Sequence, residues 1–181
     1  IAKIQGALPN HPYAFNLIHS PSEMAIEQRA VELFLRHNIT TVEASAFLEV
    51  TPTITYYRVA GLSQAPDGTI IPKNRVIAKI SRKEVAEGFM SPPPANFVAD
   101  LLAQGKISPQ QAEWAKHIPM ADDVTCEADS GGHTDNRPLS ALVPVILELR
   151  DHLQAQFGFA TPVRVGAGGG IGTPSAVLGT Y

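Results

Sequence analysis

Short apolar runs alternate with segments of helical periodicity along the chain. By their length and their content of β-branched and aromatic residues, these runs predict buried strands. Helix signals follow each run, and strands separated by helices pair in parallel through right-handed crossovers. The pattern therefore predicts an α/β protein built on a parallel sheet. The five predicted strands are residues 13–18, 40–44, 75–80, 123–127 and 162–166.

Three segments carry the pattern of a capping box, in which a serine is followed three residues later by Glu or Gln. They are residues 20–23, 81–84 and 108–111, and a Thr-Pro pair at 173–174 opens a further helix. The helix after the first box is expected to end near His37. The apolar face predicted for it consists of Ile26, Ala30, Leu33 and Phe34.

The longest helical pattern covers residues 138–156. Its predicted core positions are Leu139, Leu142, Val143, Ile146, Leu149 and Leu153. Residues 46–74 and 88–120 are rich in proline and polar residues, and we expect them to be insertions with short helices. No linker divides the chain, so residues 1–181 are expected to lie within a single domain.

Composition narrows the classes of protein that fit this pattern. The chain has 181 residues, 44% hydrophobic and 17% charged, which is typical of a globular domain. A net charge of −3 argues against nucleic-acid binding, and no apolar run approaches the roughly 18 residues that span a bilayer. Cys126 is the only cysteine, so we expect a reducing, cytoplasmic setting. Because the chain does not start with Met and stops just inside a helix start, we expect a piece of a longer protein.

The most unusual segment is EADSGGHTDNR, residues 127–137, which directly follows a predicted strand. A serine hydrolase, a metal site and a flavin pocket are the alternatives it raises. Asp129-Ser130-Gly131-Gly132 looks like the nucleophile segment of trypsin-type proteases, but those enzymes are antiparallel β-barrels. The nucleophile elbow of α/β-hydrolases requires Gly-x-Ser-x-Gly, which is not present here. Hydrolysis is therefore disfavoured.

A metal site would draw on the acidic residues and the histidine around this segment. Side chains on a strand alternate between faces, so only part of the set can converge. The spacing matches no zinc or calcium pattern, and we expect no metal. Turn and cap roles fit Asp122, Asp123 and Asp135 better. The full candidate set is Asp122, Asp123, Glu127, Asp129, His133 and Asp135.

Two glycine-containing segments favour the flavin pocket. Gly131 and Gly132 have no side chains, so a flat ring can approach the backbone there, and the His133 imidazole can donate a proton near neutral pH. Residues 165–174 form a glycine-rich run into a helix start, which favours phosphate binding. No frame supplies Gly-x-Gly-x-x-Gly, so a monophosphate fits better than a dinucleotide. A glycine-rich turn without a ligand remains the alternative.

Six segments together resemble the PfaD-type trans-acting enoyl reductases of polyketide and polyunsaturated fatty acid synthases. That family lies within the nitronate monooxygenase-like group of FMN-dependent (β/α)8 barrels. The resemblance implies a TIM-barrel type of fold, here an incomplete piece with about five βα units. It further implies that two N-terminal strands and the last strand are absent from this central portion. The segments are residues 16–21, 42–47, 77–79, 120–123, 127–138 and 169–174.

The resemblance also implies roles for individual residues. Gly169 and Gly170 would hold the phosphate of FMN, and His133 would face the substrate. The remaining implied contacts are Asn16 and Lys79 from strand ends to the flavin ring or ribityl chain, Gly131 and Gly132 against the ring, and Glu127 within the pocket or fixing its loop. Ser45 is an additional position for which core packing is the alternative.

The activity implied by the resemblance is FMN-dependent reduction of an α,β-unsaturated thioester on an acyl carrier protein. NADPH would be the reductant. The expected partners are the acyl carrier protein and the polyketide or fatty acid synthase that carries it. A nitronate monooxygenase-like flavin oxidase and a non-catalytic fragment are the alternatives.

Overall fold

A computed structural model describes residues 1–128 and 136–179. In these ranges the chain forms a five-stranded sheet, a two-stranded hairpin and the helices that connect them. The strands are β1 Phe15–Ile18, β2 Thr41–Ser45, β3 Leu62–Gln64, β4 Ile70–Pro72, β5 Arg75–Ile80, β6 Asp123–Glu127 and β7 Arg164–Gly168. The helices are α1 Ala2–Ala7, α2 Met24–Arg36, α3 Pro52–Ala60, α4 Lys83–Met90, α5 Ala95–Ala103, α6 Pro109–Trp114, α7 Leu139–Phe157 and α8 Pro174–Leu178, with a 3₁₀ turn at Ala115–His117.

The larger sheet has the order β1-β2-β5-β6-β7, and each neighbouring pair is parallel. The predicted α/β fold with a parallel sheet is therefore confirmed. β5 and β6 have the predicted bounds, whereas β7 begins two residues later than predicted. Pro162 has no N–H to donate to the ladder, and Arg164 is where the backbone first bonds to the neighbouring strand, its N–H donating to the Asp122 carbonyl at 3.0 Å.

The two faces of this sheet differ in character. On one face, short apolar side chains from β2, β5 and β6 pack under the helices and form the main core with Phe34, Phe89 and Ile146. The buried sheet residues are Leu17, Val42, Ala44, Val76, Ala78, Ile80, Val124 and Cys126. The other face, which we call the open face, displays the partly or fully exposed residues Asn16, Ile18, Glu43, Ile77, Lys79, Thr125 and Glu127. This alternation follows from the two-residue period of a strand.

The buried side of α2 agrees with the prediction only in part: Phe34 is buried and Ala30 packs against the core. Ile26 and Leu33 are 56% and 40% exposed, whereas Glu27, Val31 and Phe34 are buried. Glu27 is tolerated inside because its carboxylate has two partners: His19 Nδ1 at 2.6 Å and the Thr51 hydroxyl, which donates at 2.5 Å. A carboxylate whose hydrogen bonds are satisfied in this way can lie on the buried side beside Val31 and Phe34.

Two of the three predicted capping boxes do not form. α2 starts after Glu23 and α4 after Arg82, in both cases without a side-chain cap hydrogen bond. Residues 20–23 instead form a turn, in which the Glu23 N–H donates to the Ser20 carbonyl at 3.0 Å, a geometry that suits Pro at its second position. The third box is confirmed: the Gln111 N–H donates to Ser108 Oγ at 3.1 Å, and the Ser108 N–H donates to Gln111 Oε1 at 2.9 Å. The predicted start of α8 at Thr173 is also confirmed.

The long C-terminal helix agrees with its predicted pattern. α7 buries Leu142, Ile146, Leu149 and Leu153, while Leu139 and Val143 pack at the edge of the core. It ends at Gly158, whose φ of 63° lies in the left-handed region that glycine adopts without strain.

Residues 46–74 and 88–120 contain regular structure: α3 and the β3–β4 hairpin in the first, α5, α6 and the 3₁₀ turn in the second. They share a small second core, made of Val59, Leu62, Val98, Leu101, Ile107, Ala115 and Ile118. Within the described ranges, no helix is long and apolar enough to cross a membrane.

Candidate active site

Three charged side chains meet on the open face near the carboxyl ends of the strands. Lys79 Nζ lies 3.5 Å from Glu43 Oε1 on β2 and 3.6 Å from Glu127 Oε1 on β6. The register of the strands explains why these three side chains lie close together. Glu43 pairs with Ile77, two residues before Lys79, and Lys79 pairs with Thr125, two residues before Glu127. The three residues therefore form a diagonal across adjacent strands, and we call them the charged triad.

Asn16 lies on the same face, and its side-chain amide donates to Ser45 Oγ at 3.1 Å. Ser45 is only 6% exposed, so it orients the Asn16 amide rather than offering its own hydroxyl. Asn16 lies within β1, and Lys79 lies in β5, one residue before its end. Their side chains face the side on which Glu127 is found.

The two predicted flavin loops leave the sheet from neighbouring positions. Glu127 pairs with Gly168, and the Ala128 N–H donates to the Gly168 carbonyl at 2.8 Å. The segment after Ala128 and the glycine run after Gly168 thus start side by side. Gly131, Gly132 and His133 themselves, together with Asp129, Ser130 and Asp135, lie outside the described residues.

The backbone of the glycine run could hold an anion. Gly169 and Gly170 have φ values of 79° and 67°, which strain any residue with a side chain. Across the described part of the chain, the backbone N–H groups of residues 169–172 make no hydrogen bond. Thr173 then caps α8. Unpaired N–H groups at a glycine turn fit a phosphate, so these residues fit the phosphate end of FMN.

Gly168 has a different function in the same run. A Cβ built on it would lie 2.9 Å from Thr125 Cγ2 on β6. A side chain at this position would force Thr125 to shift, so glycine allows β7 to pack closely against β6.

The acidic residues at the start of β6 are not at the site. Asp122 pairs with Arg58, and Asp123 pairs with Arg164, both near the amino ends of the strands. The turn and cap roles predicted for Asp122 and Asp123 are therefore wrong, since both serve in ion pairs.

In the ranges that the structure covers, no three His, Cys, Asp or Glu side chains converge in a way that could hold a metal ion. Cys126 faces the core, and its burial raises the pKa of the thiol to about 12, so it stays protonated.

Glu43, a member of the charged triad, was not singled out from the sequence. The sequence did contain a signal for it: Glu43 lies between Val42 and Ala44 in a predicted strand, and an acidic residue inside an apolar run is unusual.

The hydrogen-bond network of His19, Glu27 and Thr51 was also not predicted from the sequence. It ties the end of β1 and the start of α3 to α2, with the His19 ring stacked on Phe47 at 5.1 Å.

The fold and the site together define an α/β protein whose polar side chains gather near the carboxyl ends of parallel strands, the usual position of ligand sites in such sheets. Comparisons with known proteins show which proteins the chain is similar to. The chain is 51% identical, over 97% of its length, to a polyunsaturated fatty acid synthase component of Thraustochytrium sp.. It is 45% identical over its whole length to the polyketide biosynthesis protein PksE of Bacillus subtilis. No protein-family model matches the chain.

Among solved structures, the chain is similar to the enoyl reductase domain of MlnA from the macrolactin biosynthesis cluster of Bacillus amyloliquefaciens. The match covers 99% of the chain at 37% identity with a TM-score of 0.93. The resemblance to PfaD-type trans-acting enoyl reductases is thereby confirmed. The chain spans 12% of the Thraustochytrium protein, 24% of PksE and 40% of the MlnA chain.

Proposed function

We propose that the chain is the central part of an FMN-dependent enoyl reductase. Its substrate would be an α,β-unsaturated acyl thioester on an acyl carrier protein of a polyketide or polyunsaturated fatty acid synthase. The observation that carries the proposal is the match to an enoyl reductase domain along 99% of the chain. The relationship to synthase components supports the carrier protein and the synthase as partners.

We propose further that the sheet is part of a (β/α)8 barrel. Its strands are parallel and stand in chain order, whereas a doubly wound sheet reverses its order at a switch point. The strands of a barrel continue in one direction until the sheet closes. Closure would place the open face inside the barrel and pair the free edges of β1 and β7 with further strands.

Residues of the open face and of the glycine run would hold different parts of FMN. The N–H groups of Gly169 and Gly170 would bind the phosphate, while Lys79 and Asn16 would contact the ring or the ribityl chain. Bound FMN would supply hydride transfer to the β-carbon of the thioester. Glu127 would hold Lys79 in place and anchor the segment that follows Ala128.

We assign His133 the role of proton donor. The thioester oxygen gains negative charge as hydride reaches the β-carbon, and a donor aimed at that oxygen lowers the barrier. The same imidazole could instead protonate the α-carbon. The segment that contains His133 begins directly beside the glycine run, which supports a position near the flavin.

Anaerobic turnover tests the reaction. Full-length protein with FMN should oxidise NADPH when an enoyl thioester on a carrier protein is supplied without oxygen. The matched control supplies a nitroalkane with oxygen. Turnover of the nitroalkane alone would favour the nitronate monooxygenase-like alternative, and failure to bind FMN would favour a non-catalytic role.

Replacement of the histidine tests the assigned role. His133→Ala should lower the rate of enoyl reduction by about 10²–10³ with FMN still bound, the loss typical of one such donor. The control is His152→Ala, because His152 is exposed on α7. A near-normal rate for His133→Ala would remove this residue from the mechanism.

A further inference from the structure

Glu43 is an acidic residue on the open face that has no role in the reaction proposed above. It lies on β2 opposite Glu127 across Lys79, and both carboxylates are within 3.6 Å of the same ammonium nitrogen. One ammonium against two carboxylates gives the charged triad a formal charge of −1. The charged triad therefore presents a net negative charge on the open face.

Stability does not explain this arrangement. The side chain of Lys79 is 28% exposed, that of Glu43 37% and that of Glu127 19%. Ion pairs with this much water contact contribute little to the stability of the fold. A single glutamate would neutralise the lysine, and the second adds repulsion between carboxylates. A charge pattern that the fold does not require is expected at a functional site.

We propose that Glu43 sets the charge that the flavin ring meets. This inference rests on the proposed function. The flavin ring is neutral when oxidised and gains negative charge on two-electron reduction, and charges near the ring tune its potential. A net negative triad holds the reduced form less tightly than the oxidised form, so the bound flavin is a stronger hydride donor. Glu43 supplies the excess negative charge.

The test is the redox potential of the bound flavin in full-length protein, measured anaerobically with a reference dye. The potential gives the ratio of the dissociation constants for oxidised and reduced FMN. Glu43→Gln removes one charge and keeps the shape, so the ratio should move about three- to thirtyfold in favour of the reduced form. Lys79→Met should move the ratio in the opposite direction. Glu84→Gln, the same charge change on an exposed position of α4, should leave it unchanged.

The outcomes separate this inference from the proposed function. If the unaltered protein binds no FMN, the proposed function fails and the inference fails with it. If FMN binds and enoyl thioesters are reduced, but Glu43→Gln shifts the potential no more than Glu84→Gln, only the inference is overturned. A shift toward the oxidised form in Glu43→Gln would overturn it as well, because the sign follows from Coulomb's law.

Discussion

Arg58 is among the largest side chains that the fold buries almost completely, at 1% exposure. Its guanidinium donates from Nε to the Pro119 carbonyl at 3.2 Å and from Nη1 to the Asn74 carbonyl at 2.9 Å. It also donates from Nη1 and Nη2 to the two carboxylate oxygens of Asp122, at 2.6 and 3.2 Å. Asp122 Oδ2 accepts a further hydrogen bond from the Val76 N–H at 2.9 Å. This network joins α3, β5 and the start of β6.

Removing one member of the network should be costly. Asp122→Asn leaves the Arg58 charge buried without its counter-ion, and breaking a buried pair typically costs about 3–5 kcal/mol. We expect a loss of about 3 kcal/mol in the free energy of unfolding, measured by urea denaturation. Asp123→Asn is the matched control: its partner Arg164 is 70% exposed, so the loss should stay below about 1 kcal/mol. Equal losses in the two variants would contradict this view of the network.

At the residue scale, the sequence identified the kind of side chain but not its partner. Asp122 and Asp123 were expected in turns and caps, which are local interactions. Their actual partners are Arg58 and Arg164, separated from them by 64 and 41 residues. No local pattern encodes a contact over that distance. Lys79 was singled out from the sequence and lies on the open face, but its pairing with Glu43 required the strand register.

At the scale of elements, the three predicted capping boxes differ in outcome although their sequence patterns are alike. Only the box at Ser108 forms, and it is held in place because the Gln111 side chain also donates to the Ala60 carbonyl at 3.0 Å. At residues 20–23 the chain must turn sharply after β1 to allow α2 to pack on the sheet. A turn competes there with the first turn of a helix.

Serine replacements distinguish a formed cap from a cap that does not form. Ser108→Ala should lower the free energy of unfolding by about 1 kcal/mol, the usual cost of losing an N-cap. Ser20→Ala is the control, because its side chain contacts Ser22 in an exposed hydrogen bond, and we expect a change of a few tenths of a kcal/mol. Chemical denaturation of both variants measures the difference. A larger loss for Ser20→Ala than for Ser108→Ala would contradict the observed caps.

At the scale of the whole molecule, the sheet brings together residues that lie far apart in the sequence. Asn16, Glu43, Lys79, Glu127 and Gly168 come from five different strands and form a row of neighbours across the sheet. Parallel pairing gives this result, since all the carboxyl ends lie at the same edge. The relationship to an enoyl reductase domain extends over this whole framework.

Flavin binding should be visible as stabilisation of the full-length protein. A ligand that binds only the native state, present at 100 times its dissociation constant, adds about 2.7 kcal/mol. We expect FMN to raise the melting temperature and riboflavin, which has no phosphate, to raise it much less. Gly170→Ala should reduce the difference between the two ligands, because φ is 67° at that position. Equal stabilisation by FMN and riboflavin would argue against a phosphate at the glycine run.

The sequence by itself determined the strand-and-helix alternation, the parallel sheet, the bounds of β5 and β6 and the core positions of α7. These properties depend on the spacing of apolar residues within one element, and that spacing is local. The tertiary structure alone decided which side of α2 is buried, which box caps a helix, and that Glu43 completes a triad around Lys79. Each of these depends on the partner that another element presents, because a buried carboxylate or a paired ammonium is stable only where a distant part of the chain satisfies it.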